Sequence, residues 1–312
     1  MKVSFITTVY NEKETIIPFL KSLAGQSCLP DEAVIVDGGS SDGTYGLIEG
    51  FLKKGNLNYK LMRKAKASIS EGRNVAISSA SNRVICVSDA GCILDKGWLA
   101  EIKKDVSPGR MVGGYNKAIA ETFLEKCLAA AIMPKVSEIK RDKYMPSSRN
   151  LCFFKPDWNK AGRYPEQMDY GEDMKFNFNA KKAGISIIFN PAAIVHWKMR
   201  NSLKDIFRQF FRYAKGDALG RMYLHRHFIR FASVLIMAAI AVISVIFSPY
   251  FLLLYVLMFA IYLFTPYRRI PYYFRKEGVA KKIYSFIFMP LLLVFIDLAK
   301  LFGYIYGIII RK

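Results

Sequence analysis

The sequence predicts an α/β domain built on a mostly parallel sheet, followed by an amphipathic helix and a membrane region. Three observations carry that expectation. Strand-like and helix-like segments alternate three times before Asp89, the pattern of a parallel sheet with crossover helices. Two of the strands stop at an acid, Asp37 and Asp89, followed by small residues. The last third, residues 201–312, holds long apolar runs and 16 Lys/Arg against 4 Asp/Glu.

Lys2 to Thr7 reads as a first buried strand, and Glu14 to Ala24 as a helix whose apolar residues recur at 16, 17, 19, 20 and 23. Pro18 fits that helix only near its first turn. A β-branched run enters Asp37, and Gly38-Gly39-Ser40-Ser41-Asp42-Gly43 turns the chain into a helix opening at Thr44. An acid at the carboxyl end of such a strand faces the crevice where α/β folds bind ligands. An ordinary strand–helix turn explains the stretch equally well when it is taken alone. The glycine patterns of dinucleotide-binding and Walker loops are absent here, so hydroxyls or a base N–H suit Asp37 better than a pyrophosphate. Tyr59 to Arg63 is a third strand, Ser70 to Ser81 a helix, and Arg83 to Ser88 a fourth strand ending at Asp89. Arg110 to Tyr115 and Ile185 to Ala193 read as further strands, and Ser147 to Phe154 as a loop feeding a strand. Ala120 to Val136 is helical without a clear face, and acids open a helix at Glu172-Asp173 that Gly184 ends.

The net charge of +21 accompanies a positive mean hydropathy, which suits a membrane protein with cytosolic basic residues rather than a nucleic-acid binder. Five scattered cysteines, with no C-x-x-C, read as reduced core thiols. Residues 2–7 already form a strand, so no signal peptide is expected.

Thr8-Val9-Tyr10-Asn11-Glu12, Val36-Asp37-Gly38-Gly39-Ser40-Ser41-Asp42-Gly43-Thr44, Arg73-Asn74 and Ser88-Asp89-Ala90-Gly91, in that order, resemble the family 2 glycosyltransferases. The resemblance covers residues 2–215 and implies a GT-A catalytic domain over 1–200. It implies that Glu12 and Asp37 hold the base and ribose of a nucleotide sugar, with Thr8 and Tyr10 lining the same slot. Arg73 and Asn74 fall to the nucleotide or its phosphates, while Arg149, read from its own position, suits a donor or acceptor phosphate and equally a structural salt bridge. Asp89 is the first acid of the D-x-D element, which touches the ribose and a divalent metal. Position 91 is Gly where the second acid is usual, so Mg²⁺ or Mn²⁺ would rest on Asp89, the phosphates and, by family position, His196. Asp173 matches the catalytic base of inverting transfer, with Glu172 orienting it.

Residues 201–227 read as an interface helix: Lys204, Arg208, Arg212 and Lys215 share one face opposite an apolar strip. Gln209-Phe210-Phe211-Arg212-Tyr213 resembles the Q-x-x-R-W element of polysaccharide-making relatives, with Tyr in place of Trp. A membrane region over 228–312 is expected to hold helices at 229–247, 250–266 and 283–310; for the last, a span and an interfacial helix are both open because it contains Asp297 and Lys300. Six Lys/Arg and one Glu between Pro266 and Lys282 put that loop and the enzyme domain in the cytosol. The expectation is therefore a multi-pass cell-membrane enzyme that takes a nucleotide sugar, with uridine the favoured base, and serves a lipid-linked or membrane-proximal glycan. The rival readings are a regulatory nucleotide-binding module that has lost catalysis, and a component of a transporter.

Overall fold

The computed structural model describes residues 1–311. The chain begins β1 (Val3–Val9), α1 (Ile16–Ala24), β2 (Glu32–Asp37), α2 (Thr44–Leu52), β3 (Tyr59–Arg63), α3 (Ile69–Ser79) and β4 (Val84–Val87). It continues through β5 (Cys92–Leu94), α4 (Trp98–Ile102), β6 (Arg110–Ile119), α5 (Phe123–Ile132) and β7 (Leu151–Phe154). Then come α6 (Lys155–Lys160), α7 (Glu172–Lys182) and β8 (Ser186–Lys198). Four long helices close the chain: α8 (Leu203–Leu219), α9 (Leu224–Ile246), α10 (Leu252–Tyr273) and α11 (Val279–Ile310).

These elements form two compact units, residues 1–118 with 136–198, and residues 119–135 with 199–311. Segment 119–135, expected inside the catalytic domain, thus belongs with the C-terminal helices.

The first unit is an eight-stranded sheet in the order β3-β2-β1-β4-β7-β6-β8-β5. β1 pairs in parallel with β2 and β4, and β2 with β3, as the strand–helix alternation requires. Beyond β4 the pairings of β4 with β7, β6 with β7 and β5 with β8 are antiparallel. Parallel pairing therefore describes only the first half of the sheet. β5 and α4 are too short to carry a periodic signal, and neither was expected.

Burial explains why the strands read as continuous apolar runs. Phe5, Ile35 and Val84 point to one face, where Phe19, Leu23 and Trp98 cover them. Ile6, Val34, Ile85 and Val87 point to the other, under Ala76, Ile77, Trp158 and Phe176. Pro18 sits in the first turn of α1, where its missing N–H costs little. Ser68 and Glu71 close a capping box on α3. All five cysteines are free.

In the second unit, α9, the segment Pro249–Tyr273 and α11 are each long and apolar enough to cross a membrane. α10 runs through Pro266 and Pro271, past the expected end at 266; such breaks are tolerated when neighbouring groups satisfy the freed carbonyls. α8 is strongly amphipathic, with Ile206, Phe210, Ala214 and Ala218 buried and Lys204, Arg208 and Arg212 exposed. Gly303 and Gly307 let α11 approach α8 closely: a Cβ on Gly303 would overlap the Phe211 carbonyl, and one on Gly307 would lie 2.7 Å from Ala218 Cβ.

Candidate active site

Two loops meet at the carboxyl ends of β1 and β2, because parallel pairing puts those ends on one edge of the sheet. Asp37, the last residue of β2, is fully buried. Its Oδ1 accepts N–H bonds from Gly39 (2.6 Å) and Ser40 (2.7 Å). Gly39 adopts φ +97°, a conformation that side chains resist. Asp37 Oδ2 is buried with no protein partner. A buried carboxylate oxygen left without a donor costs free energy unless a ligand or water supplies one.

The loop after β1 is stitched to this turn. Asn11 N–H donates to Ser40 Oγ (2.9 Å), Ser41 N–H to Asn11 Oδ1 (3.0 Å) and Glu12 N–H to Thr44 Oγ1 (2.9 Å). Tyr10 stands 62% exposed near Gly38, free to stack on a planar group. Thr8 packs against Gly72 of α3, whose Cβ would come within 2.6 Å of Thr8 Cγ2.

Arg73, the next residue of α3, is buried rather than solvated. Its Nη2 donates to Asp89 Oδ1 at 2.7 Å and its Nη1 to Glu172 Oε1 at 2.6 Å. The side chain is 3% exposed, Glu172 8% and Asp89 30%. Arg73 also faces the Tyr164 ring at 5.3 Å. The two carboxylates hold the guanidinium cationic despite its burial. Burial and the adjacent Asp173 push the Glu172 carboxyl up to about 7, with Arg73 pulling it back. Asp173 is half-buried beside it and accepts from Met174 N–H at 2.8 Å. Gly171, at φ +76°, makes the turn that starts α7 with both acids in its first turn.

This geometry corrects two of the expected roles. Arg73 has both ends occupied by carboxylates, so it joins Asp89 to Glu172 rather than waiting for a phosphate. Asn74 is spent: its Nδ2 donates to Tyr164 O and Glu166 Oε1, and its Oδ1 accepts from Trp158 Nε1 and Tyr164 N–H. It holds segment 158–166 in place and has no free group for a nucleotide.

Arg149 also stands beside Asp89. Its guanidinium stacks on Trp197 at 3.9 Å, and Nε lies 3.7 Å from Asp89 Oδ2. Trp197 and Tyr164, which set the planes of Arg149 and Arg73, had no sequence signal beyond their size, since each comes from a segment distant in the chain.

His196 does not join Asp89. β8 pairs His196 with Ile93 and Trp197 with Cys92. Side chains alternate along a strand, so with Trp197 on the Arg149 side, His196 turns to the other face, 3.7 Å from Asp95. Among the described residues, no group of three or more His, Cys, Asp and Glu is arranged to hold a metal. What does face the Gly91 position is Glu12: a Cβ on Gly91 would lie 3.9 Å from Glu12 Oε2, which also accepts from Thr15 Oγ1. The residues present fit a divalent ion only as a partner of a bound diphosphate, which would supply most of its oxygens. Cys92, between these acids, is buried and its thiol is pushed up to about 12, so it is no nucleophile.

A buried acid at the end of β2 accompanies an acid after β4 and an acid pair opening α7, the latter two joined by one arginine, in a fold of the GT-A type. The chain belongs to the family 2 glycosyltransferases: the glycosyl transferase family 2 model matches residues 4–132 and the glycosyl transferase family group 2 model residues 135–296. A poly-beta-1,6-N-acetyl-D-glucosamine synthase of Staphylococcus epidermidis is 23% identical over 226 residues, 69% of this chain and 54% of that protein. The uncharacterized glycosyltransferase YfnE of Bacillus subtilis is 31% identical over 130 residues, 40% of this chain and 33% of its own length. The chain thus matches about half the length of the synthase, or less of the other relative. Among solved structures, a mannosyltransferase of Pyrobaculum calidifontis in complex with GDP-Man and Mn²⁺ superposes with a TM-score of 0.61 at 16% identity, covering 96% of this chain and 87% of that one. TarS 1-349 of S. aureus in complex with UDP superposes with a TM-score of 0.52 at 16% identity, covering 99% and 90%. These two likenesses establish the fold.

Proposed function

We propose that the chain is a membrane-anchored, inverting glycosyltransferase that moves a sugar from a uridine diphosphate sugar to a glycan or lipid-linked acceptor at the cytosolic bilayer surface. The observation that carries this reading is the ion-paired series Asp89–Arg73–Glu172, with Asp173 next in the chain. It ties the acid on the donor side to the acid pair on the acceptor side by two bonds of fixed length.

In this reading Asp37 Oδ2 accepts an N–H or hydroxyl of the nucleoside, and Tyr10 covers the base. Asp173 takes the proton of the acceptor hydroxyl as its oxygen attacks the anomeric carbon. The bond from that carbon to the diphosphate breaks, and its electron pair leaves with the nucleoside diphosphate. Arg149, held flat by Trp197, faces the charge that develops there. A Mg²⁺ or Mn²⁺ ion shared by Asp89 and the phosphates would neutralise the same charge. Uridine is favoured because the structurally similar TarS of S. aureus has been solved in complex with UDP and with UDP-GlcNAc. The basic segment 266–282 supports the cytosolic orientation.

The test is release of nucleoside diphosphate by the detergent-solubilised full chain from a panel of uridine, guanosine and thymidine diphosphate sugars, with membrane lipid extract as acceptor. Release from a uridine donor that Asp173→Asn removes supports the proposal. A chain that binds donor and never releases diphosphate, with extract or with glycan primers, is a binding module and the proposal fails.

A further inference from the structure

We infer that only α9 and α10 cross the bilayer, and that α11 lies along the leaflet from which they start, with one face in its acyl region. α9 and α10 have 23 and 22 residues, about 33–35 Å at 1.5 Å per residue, enough for a hydrocarbon core of roughly 30 Å. Only the short Ser248–Phe251 turn joins them, so the start of α9 and the end of α10 lie on the same side of the membrane.

Both halves of α11 are fixed to that side. At its N-terminal half, Tyr267 near the end of α10 donates to Phe286 O at 2.9 Å and packs edge-on against the Phe286 ring. Phe288 meets Phe123 of α5, and Glu277, just before α11, pairs with Lys126 of α5. At its C-terminal half, Phe295 meets Phe207, and Gly303 and Gly307 meet Phe211, Lys215 and Ala218 of α8. Arg311 Nη1 donates to Ala218 O at 3.3 Å. α8 ends at Leu219 and α9 opens at Leu224, so this half also sits where α9 begins.

The middle of α11 crosses the hairpin instead of following it. Asp297 accepts from Arg230 Nε (3.0 Å) and Tyr262 Oη (2.7 Å), and Lys300 lies 3.5 Å away. His227 stacks on Tyr304 at 3.9 Å, and Phe231 meets the same ring. The polar and ring contacts given between α11 and α9 thus fall on residues 227–231 of α9, while they run from 297 to 304 on α11. A helix spanning beside α9 would meet it turn after turn. Consistently, the apolar windows of the hairpin helices are 6% and 11% buried, against 28% for α11.

The surface of α11 matches this placement. Ser285, Met289, Leu292, Ile296, Gly303 and Gly307 face inward. Ile283, Ile287, Leu291, Leu298, Phe302 and Ile309 form an exposed stripe, each at least 44% accessible, at the spacing of one helix face. At 32 residues the helix is about 48 Å long, well over the thickness it would have to cross. α8, packed beside it, presents Lys204, Arg208 and Arg212 to solvent, the charge that anionic headgroups of the same leaflet attract. The occupant of the stripe is therefore leaflet lipid. Asp297 and Lys300, costly in lipid when alone, are paired with each other and with Arg230.

The experiment is a topology map of the full chain, using alkaline phosphatase and a fluorescent protein as opposed reporters. Each is placed either in the turn at Ser248 or after residue 312. Two crossings make the two positions report opposite sides of the membrane. Agreement between the positions, or a mixed signal after 312, overturns the inference. A second measurement avoids the bulky fusion. Ile309→Cys should stay unlabelled by a membrane-impermeant maleimide added to intact cells, while Tyr250→Cys in the turn should be labelled. Labelling of both overturns the inference. No transfer activity is measured, so this result is separable from the glycosyltransferase reading.

Discussion

Removing Arg73 should strand a buried charge, and the cost can be worked from its two bonds. Both are short and charge-assisted, at 2.6 and 2.7 Å. Their other ends differ: the Glu172 side chain is 8% exposed and that of Asp89 is 30% exposed. Water can rehydrate Asp89, so little of the cost arises there. Glu172 cannot be rehydrated without opening the contact between α3 and α7. Above about pH 8, where Glu172 is ionised, Arg73→Met should therefore destabilise the catalytic unit by about 3–5 kcal/mol, the range for breaking one side of a buried ion pair. Arg73→Met with Glu172→Met removes the charge on both sides and should recover at least half of that loss, about 1.5–2.5 kcal/mol. Urea titration of the detergent-solubilised full chain measures this by tryptophan fluorescence, because all three tryptophans (Trp98, Trp158 and Trp197) lie in the unit concerned. A single variant costing under about 1 kcal/mol, or strictly additive losses, would refute the idea that Arg73 is a buried bridge.

Four further outcomes are expected. Asp173→Asn should leave nucleotide affinity intact and lower kcat by about 100-fold or more, since the amide cannot take the acceptor proton; single-turnover kinetics beside nucleotide titration separates the two effects. Asp37→Ala should weaken uridine diphosphate binding by roughly 1–3 kcal/mol, read by calorimetry. With the Glu172 carboxyl raised from 4.5 to about 7, its contribution to stability is complete below pH 4.5 and is lost as pH rises through about 7, because the folded state holds the extra proton; Glu172→Gln should flatten that slope in melting curves taken across the same window. Chelator should lower transfer, while His196→Ala should leave the metal concentration for half-maximal rate unchanged, because His196 faces Asp95; a shift of several-fold would restore it as a ligand.

The sequence by itself determined the class of fold and the positions of the acids. Fully buried parallel strands must be apolar along their whole length, so β1, β2 and β4 stand out. The polar residues that end them stand out by contrast, which is why Asp37 and Asp89 were legible, while Glu172 and Asp173 were legible as acids opening a helix. The three helices long and apolar enough to cross a membrane were legible for the same reason, as apolar runs that need no knowledge of their neighbours.

Tertiary structure alone decided what the charged and polar side chains do. Arg73 and Asn74 are adjacent in sequence at a helix start, which says nothing of the segments that return to cover them. Only packing of α7 and of segment 158–166 against α3 turns one into an ion-pair bridge and the other into a clamp. His196 was expected beside Asp89 until the register of β8 against β5 put it on the face opposite Trp197. The antiparallel half of the sheet was hidden because its pairings join strands remote in the chain, whose order no local pattern encodes. The last helix shows the same limit. Apolar length permits α11 to span, but length cannot tell a crossing from a helix lying in one leaflet. That distinction lies in the contacts at its two ends, which depend on where α8, α9 and α10 stand.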